Sequence, residues 1–317
     1  MFCLILSVIV PVLTAVVFAI DAACRAALQS LVNADGSPSI DESVTRDQLT
    51  LSKICADLCL QVYGRVEDLR IPGIGFLRIP GIGFQGFRVD RVLVSEDLSA
   101  VCVVLNTDDT CIVVWRGTNP TNRRQVRANT ACDLVPFPPP IERFSRPHAG
   151  LSRAHAGLVE QYNKAGDVMA VMAVIRQQVL CGRHVILTGH SQGGGLAAVT
   201  ASHMISLGLP VGGLITFGSM RPGNAELAAV LTHHVPLILR YHNHNDLVPL
   251  LPPFSRGYAH AGDTLYIWPA GMVTRSPGRL LRFVQRCRSW LTGVIGDGLH
   301  DHAMAEYQAK LHAVRVC

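Results

Sequence analysis

The chain has 317 residues, of which 49% are hydrophobic and 16% are charged, and its formal net charge is +5. This composition is typical of a globular protein with a large core, and the length suits one large α/β domain or two small ones. The basic residues are scattered, which argues against a nucleic-acid-binding protein, because such proteins cluster their basic residues in a stripe or patch.

The first predicted element is the uncharged apolar run from Phe2 to Ile20. It is long enough to cross a bilayer as a helix, and its position at the start of the chain is typical of a secretory signal or signal-anchor. We therefore expect residues 1–24 to be a signal peptide or signal-anchor helix and residues 41–317 to form the functional domain of a secreted or membrane-anchored protein. A buried N-terminal helix is the alternative.

The sequence contains ten cysteines, eight of them beyond the leader region. An even number behind a leader permits disulfides, although the pairing does not follow from the sequence. Cys102 and Cys111 lie in apolar, strand-like runs, where buried thiols are the simpler interpretation. There is no C-x-x-C spacing, so we do not expect a structural zinc site.

Predicted helices and strands alternate along most of the chain. Thr45 and Gln48 have capping-box spacing and open the first helix, and two β-rich runs, SAVCVVL and TCIVVWRG, follow. The order is then helix 154–178, strand 184–189, a helix from residue 192, strand 212–219, helix 223–233 and strand 236–242. These strands are apolar on both faces, so we predict a doubly wound α/β fold with a mostly parallel sheet covered by helices.

The run VILTGHSQGGGLAAV carries the motif G-x-S-x-G at residues 189–193. An apolar strand precedes the motif and a helix of small residues follows it, and these are the two flanks of a nucleophile elbow. The glycines leave room for a tight, strained turn at Ser191, and the helix start directs backbone N–H groups towards a developing oxyanion. Ser191 is therefore the candidate nucleophile.

A serine hydroxyl needs a base, and in this arrangement an acid and a histidine follow the serine in that order. Asp246 lies in a loop after an apolar strand, and His302 lies just before the last predicted helix. Both spacings leave room for intervening strand–helix units. Asp246 is the candidate acid and His302 the candidate base.

Over residues 45–312 the chain resembles the class 3 (fungal-type) lipases of the α/β-hydrolase superfamily. The resemblance rests on the segments VVWRGT, AHAGLVEQY, LTGHSQGG, TFGSMRPGN, NDLVPLLPP, GYAHAG and DHAMAEY. The segment NTACDL keeps the aspartate of the family's N-W-x-x-D-L pattern but lacks its tryptophan. The resemblance implies an α/β-hydrolase fold and hydrolysis of carboxylic esters, with acylglycerols as the expected substrates and no metal or other cofactor.

The resemblance also implies a role for each site residue. Ser191, Asp246 and His302 correspond to the catalytic triad, and Thr118 with the backbone N–H of Gln192 corresponds to the oxyanion hole.

The same resemblance implies different roles for three adjacent residues near the C-terminus, His300, Asp301 and His302. The family's catalytic histidine precedes a tyrosine by five positions, which fits His302 and Tyr307. His300 is then a loop residue, and we expect Asp301→Asn to be mild because the orienting acid is Asp246.

Several alternatives stay open. The same fold also serves phospholipases A1, esterases of soluble substrates and inactive, membrane-tethered binding proteins. The segment after Thr118, NPTNRRQVRANTACD, corresponds to the lid of these lipases, but its arginines suit a polar cover, a contact with an anionic membrane surface, or a solvated loop. A zinc site built from His242, His244, His300 and His302 is a further alternative, which would leave the elbow unexplained.

Overall fold

The computed structural model describes residues 37–64, 88–95, 100–118, 132–138, 152–164, 168–275 and 297–315, together with positions 15 and 19. The prediction of a leader or anchor therefore lies outside the described residues, apart from those two positions. Within the described ranges, no helix combines the length and the apolar character needed to span a bilayer.

The described part of the chain alternates between helices and strands, with two short 3₁₀ helices at Val248–Leu250 and Phe254–Arg256. The α-helices are α1 (Arg46–Gln61), α2 (Ala156–Lys164), α3 (Val168–Leu180), α4 (Gln192–Ser206), α5 (Ala225–His234), α6 (Asp297–His300) and α7 (Met304–Ala313). The strands are β1 (Arg88–Val94), β2 (Val101–Asn106), β3 (Thr110–Trp115), β4 (Leu134–Pro136), β5 (Arg153–His155), β6 (His184–His190), β7 (Gly213–Phe217), β8 (Gly223–Asn224), β9 (Ile238–Asn243), β10 (Tyr258–Ala259), β11 (Thr264–Ile267) and β12 (Val273–Arg275).

Eight strands form the central sheet in the order β1-β2-β3-β6-β7-β9-β11-β12. The five strands from β3 to β11 are parallel neighbours, and antiparallel strands extend the sheet at both edges. A second, antiparallel sheet has the order β10-β8-β5-β4. Because the parallel strands run in one direction, their carboxyl ends meet at one edge of the sheet, which is where open α/β sheets bind ligands.

Both faces of the central sheet are buried. In β3, Val113 and Trp115 belong to a core shared with α2, α3 and α4, whereas Ile112 and Val114 belong to a core shared with α1 and α7. Strands that alternate between two buried cores must be apolar at every position, which accounts for the continuous apolar runs in the sequence. The architecture confirms the predicted fold class.

Two local predictions are confirmed and one is wrong. Thr45 and Gln48 form the capping box at the start of α1, and Cys102 and Cys111 are buried free thiols. The single helix predicted over 154–178 is instead β5, α2 and α3. The sequence between α2 and α3 contains Gly166, a residue type that disfavours the interior of a helix.

Candidate active site

Ser191 occupies the sharp turn between β6 and α4, with φ 58° and ψ −126°. A residue other than glycine in such a sparsely populated region costs about 1–3 kcal/mol, and such residues cluster at active sites. The turn lies at the carboxyl end of a central strand, and Ser191 Oγ lies 2.9 Å from His302 Nε2. The strained backbone therefore presents the hydroxyl to the imidazole.

Two glycines make the turn sterically feasible. A Cβ added to Gly193 would lie 2.2 Å from the carbonyl oxygen of Trp115, and one added to Gly189 would lie 2.3 Å from the backbone of Gly193. These distances are far below van der Waals contact and involve backbone atoms of β3 and α4, which side-chain rotation cannot relieve. The elbow therefore requires glycine at both positions.

His302 and Asp246 continue the array that begins at Ser191. His302 Nδ1 lies 2.9 Å from Asp246 Oδ2, and the Asp246 side chain is fully buried. Since a carboxylate accepts the Nδ1 proton, the Nε2 lone pair of a neutral His302 faces Ser191 Oγ. This is the geometry in which an imidazole can remove a proton from a serine hydroxyl.

Two further donors fix the Asp246 carboxylate. The Val248 N–H donates to Oδ1 at 2.9 Å, and the Tyr307 hydroxyl donates to Oδ2 at 2.6 Å. Burial raises the pKa of Tyr307 well above its usual value, and the negative charge of Asp246 raises it further, so the hydroxyl keeps its proton. Sequence reasoning used Tyr307 only as a landmark and missed this contact.

His190 packs directly behind the imidazole of His302, with ring centroids 4.6 Å apart. Its Nε2 donates to the carbonyl oxygen of His302 at 2.7 Å, so its Nδ1 is left to accept from the Tyr63 hydroxyl at 2.8 Å. Burial, followed by the nearby His302, lowers the pKa of His190 to about 3. His190 therefore stays neutral and holds the backbone of His302 without adding charge.

The two predicted oxyanion residues lie together beside the elbow. Thr118 follows β3, Gln192 is the first residue of α4, and Thr118 Oγ1 donates to Gln192 Oε1 at 3.2 Å. The side chain of Gln192 thus orients the threonine hydroxyl, while its backbone N–H lies at the positive end of the helix dipole. The Gln192 N–H is placed to stabilise an oxyanion, and the Thr118 hydroxyl can do so once it turns its single proton away from Oε1.

The four histidines of the zinc alternative have separate partners. His242 Nε2 donates to the backbone oxygen of Asp246, His244 contacts Asp301, and the exposed His300 lies 3.5 Å from Glu306. Among the described residues, no group of three or more histidine, cysteine or acidic side chains is arranged to hold a metal ion.

Asp301 is buried, although from the sequence alone its substitution is expected to have little effect. It is 4% exposed, and its carboxylate accepts hydrogen bonds from His244 Nδ1 at 2.9 Å and from the N–H of Asn245 at 3.1 Å. The expectation that Asp301→Asn is mild does not suit these surroundings, because replacing a buried carboxylate oxygen that accepts hydrogen bonds leaves its donors without an acceptor. The lid prediction covers residues 119–133, of which 119–131 lie outside the described ranges.

The sequence of this chain is similar to those of known lipases. Residues 112–256 match the family model for lipase (class 3). A secreted mono- and diacylglycerol lipase from Fusarium solani is 32% identical over 114 residues, which are 36% of this chain and 34% of the relative. Lipase A from Sodiomyces alcalophilus is 29% identical over 49% of this chain and 42% of its own length. The chain thus spans between a third and a half of these curated relatives.

Solved lipase structures share the architecture. A triacylglycerol lipase whose catalytic centre is a serine-protease-type triad is 25% identical, with a TM-score of 0.55 over 70% of this chain and 81% of that chain. Lipase II from Rhizopus niveus is 22% identical, with a TM-score of 0.56 over 70% and 82% of the two chains, and shows the same fold. The segment 112–256 is thus similar to class 3 lipases in sequence, and the described part of the chain shares the α/β-hydrolase architecture of solved lipases.

Proposed function

We propose that this protein is a serine hydrolase of carboxylic esters and that it acts on acylglycerols. The observation that carries the proposal is the continuous array from Ser191 Oγ through His302 to the buried Asp246, with 2.9 Å at each step. The choice of acylglycerols is supported by relatives that are named mono- and diacylglycerol lipases.

The reaction follows from the positions of these atoms. Ser191 Oγ attacks the acyl carbon while its proton passes to His302 Nε2, and Asp246 stabilises the imidazolium that forms. The oxyanion of the tetrahedral intermediate is stabilised by Thr118 and by the N–H of Gln192. When the bond to the alcohol breaks, His302 returns the proton to the departing oxygen.

The second half of the reaction reverses these proton transfers. Water gives a proton to His302 and attacks the acyl group on Ser191, and collapse of the new intermediate returns the proton to Ser191 Oγ. The products are an alcohol and a carboxylic acid, and the residues return to their initial state. No cofactor takes part in this scheme.

The test compares wild type with Ser191→Ala on a panel of mono-, di- and triacylglycerols, phospholipids and soluble short-chain esters. We expect the variant to fold and to lose at least about a thousandfold in kcat, because a triad member acts only in the chemical step. A serine-directed phosphonate should label wild type at Ser191, and EDTA should leave the rate unchanged.

The panel also separates the alternatives. Faster hydrolysis of phospholipids than of acylglycerols would indicate a phospholipase, and cleavage of soluble esters alone would indicate an esterase. Binding of lipid without hydrolysis by wild type would indicate an inactive lipase-like protein. Retention of more than a few per cent of activity in Ser191→Ala would remove the nucleophile assignment.

We also propose that residues 1–24 direct the protein into a secretory or membrane route. The uncharged run in the sequence and the secreted relatives support this. N-terminal sequencing of the protein recovered from culture medium and from membranes tests it, and unprocessed protein confined to the cytosol would contradict it.

A further inference from the structure

The two loops that carry the proposed acid and base are joined by two aspartate–histidine contacts. The loop that supplies the aspartate in one contact supplies the histidine in the other. We call residues 243–246 the acid loop and residues 300–303 the histidine loop. Asp246 of the acid loop contacts His302 of the histidine loop, whereas His244 of the acid loop contacts Asp301 of the histidine loop, each pair at 2.9 Å. Each loop therefore contributes one aspartate and one histidine to a reciprocal arrangement.

Asp301 binds three consecutive residues of the acid loop. His244 Nδ1 and the N–H of Asn245 donate to Oδ2, and Asn243 Nδ2 donates to the backbone oxygen of Asp301 at 2.9 Å. Lys310 Nζ lies 3.7 Å from Oδ1. Burial acts to raise the pKa of Asp301, but the hydrogen bonds from His244 and Asn245 and the charge of Lys310 outweigh it, so the pKa is lowered and the carboxylate is ionised.

His244 is held in an unfavourable state to make this contact. Its φ is 35°, in the left-handed region that side chains rarely adopt, and it is 9% exposed. Among the described residues, its Nε2 has no hydrogen-bond partner. Backbone strain and an unpaired buried nitrogen both cost free energy, so the bond from Nδ1 to Asp301 is the contact that offsets them.

We propose that His244 and Asp301 are positioning residues that hold Asp246 and His302 in register for the reaction. Asp301 directly precedes His302, and His244 lies two residues before Asp246. Fixing the first pair therefore fixes the separation of the second. This inference rests on the proposed function, because it assigns the pair a role in the same site.

The geometry explains why a second anchor matters. The hydrogen bond from His302 to Asp246 is directional, and a displacement of about 1 Å at a reacting group costs roughly a hundredfold in rate. The two loops come from segments 57 residues apart in the sequence, and the contact between His244 and Asp301 links their side chains at a second point beside the triad contact.

The test uses three substitutions at His244. They differ in whether the new side chain has a hydrogen-bond donor and in where that donor lies. His244→Ala removes the donor and leaves the charge of Asp301 in place. His244→Asn puts an amide nitrogen at the site of Nδ1 and tolerates a positive φ. His244→Gln keeps an amide of similar polarity but moves it one bond further along the side chain. His300→Ala, in the same histidine loop but exposed, is the matched control.

We expect His244→Ala and His244→Gln to lower kcat about tenfold to a hundredfold, with KM changed less than twofold. The pH midpoint of the kcat profile should move to lower values, because a loosened contact with Asp246 makes His302 less basic. His244→Asn should retain most of the wild-type kcat and midpoint, and His300→Ala should match wild type in both.

A structural role alone would give a different pattern. The proposal is overturned if His244→Ala and His244→Gln keep kcat within twofold of wild type. It is also overturned if all three substitutions lower kcat alike with an unchanged pH midpoint. If His244→Ala does not fold, the kcat of His244→Gln decides the test, because the same loss is expected for both variants. An inactive wild type would defeat the proposed function as well, whereas an active wild type, an inactive Ser191→Ala and a fully active His244→Ala would defeat the positioning role alone.

Discussion

His300, Asp301 and His302 are adjacent in the sequence, yet they have different surroundings. The side chain of His300 is 67% exposed, Asp301 is buried against the acid loop, and His302 lies between Ser191 and Asp246. Because α6 ends at His300 and α7 begins at Met304, the intervening turn directs each side chain to a different side. Because His300 and His302 are the same residue type, their different surroundings come from their positions within this turn.

The contrast between the two histidines gives a prediction at this scale. His302→Ala should lower kcat by at least about a thousandfold and remove the dependence of the remaining activity on imidazole ionisation, because the base is lost. His300→Ala should cost less than twofold, since the contact of its side chain with Glu306 is 3.5 Å long and near the surface. Steady-state rates from pH 5 to 9 provide the measurement. An inactive His300→Ala beside an active His302→Ala would reverse the assignment of the base.

The sequence was informative for residues of the site that lie in motifs. Ser191, Asp246 and His302 were identified in advance, and they lie within hydrogen-bonding distance of one another. The contacts of Tyr63 with His190 and of His244 with Asp301 were not predicted. They join segments 127 and 57 residues apart, and neither periodicity nor spacing records which side chains meet across such separations.

Among the secondary-structure elements, the junction of β3, β6 and α4 is the most tightly constrained. Gly193 lies in the first turn of α4 and against the backbone at the end of β3. Gly195, two residues later in α4, instead faces the end of the Leu158 side chain and Cγ of Met220. One helix therefore contains a glycine that is required by backbone contact and a glycine whose neighbours are flexible.

This difference predicts that the same substitution destabilises the fold much more at Gly193 than at Gly195. Gly193→Ala should destabilise the fold by about 3 kcal/mol or more and disrupt the elbow, because a carbonyl 2.2 Å away cannot rotate aside. Gly195→Ala should be much milder, since alanine favours a helix by about 1 kcal/mol and the Leu158 and Met220 side chains can adjust. Urea denaturation of both variants measures the effect, and equal destabilisation of the two would contradict the steric argument.

Long periodic elements were easier to predict than short ones. The strands β6, β7 and β9 follow their predicted positions within about two residues, because each is a continuous apolar run between turn signals. The strands of the second sheet are two or three residues long, too short for any period to appear. β1 was also missed, because its sequence RVDRVLV carries charges and a bulge between Val89 and Arg91.

At the scale of the whole molecule, the central sheet is covered on both faces, and this burial keeps several ionisable groups neutral. His190 and His203 are buried, and burial lowers the pKa of each below the usual imidazole value, to about 3 for His190. His203 Nδ1 accepts a hydrogen bond from the Tyr162 hydroxyl, whose proton is retained because burial raises the pKa of Tyr162. Burial in the two cores thus keeps these side chains uncharged in the folded protein. It also makes the stability of the fold sensitive to acid.

The sign of this sensitivity follows from proton linkage. An imidazole in the unfolded chain binds a proton below about pH 6.5, whereas His190 in the folded protein does not until the pH approaches its lowered pKa of about 3. Its contribution to stability is therefore complete above pH 6.5 and is lost as the pH falls. Between pH 6.5 and 5 this loss amounts to about 2 kcal/mol for His190, and His203 adds to it.

We therefore expect the free energy of unfolding to fall by at least about 2 kcal/mol between pH 6.5 and 5, as measured by urea denaturation at half-unit steps. Aspartates contribute little in this interval because they titrate near pH ~3.9 in the unfolded chain. His203→Asn, which keeps an acceptor for the Tyr162 hydroxyl at the site of Nδ1, should flatten the slope without removing it, because His190 continues to contribute. Constant stability across the interval would mean that the buried imidazoles take up protons as readily in the folded protein as in the unfolded chain.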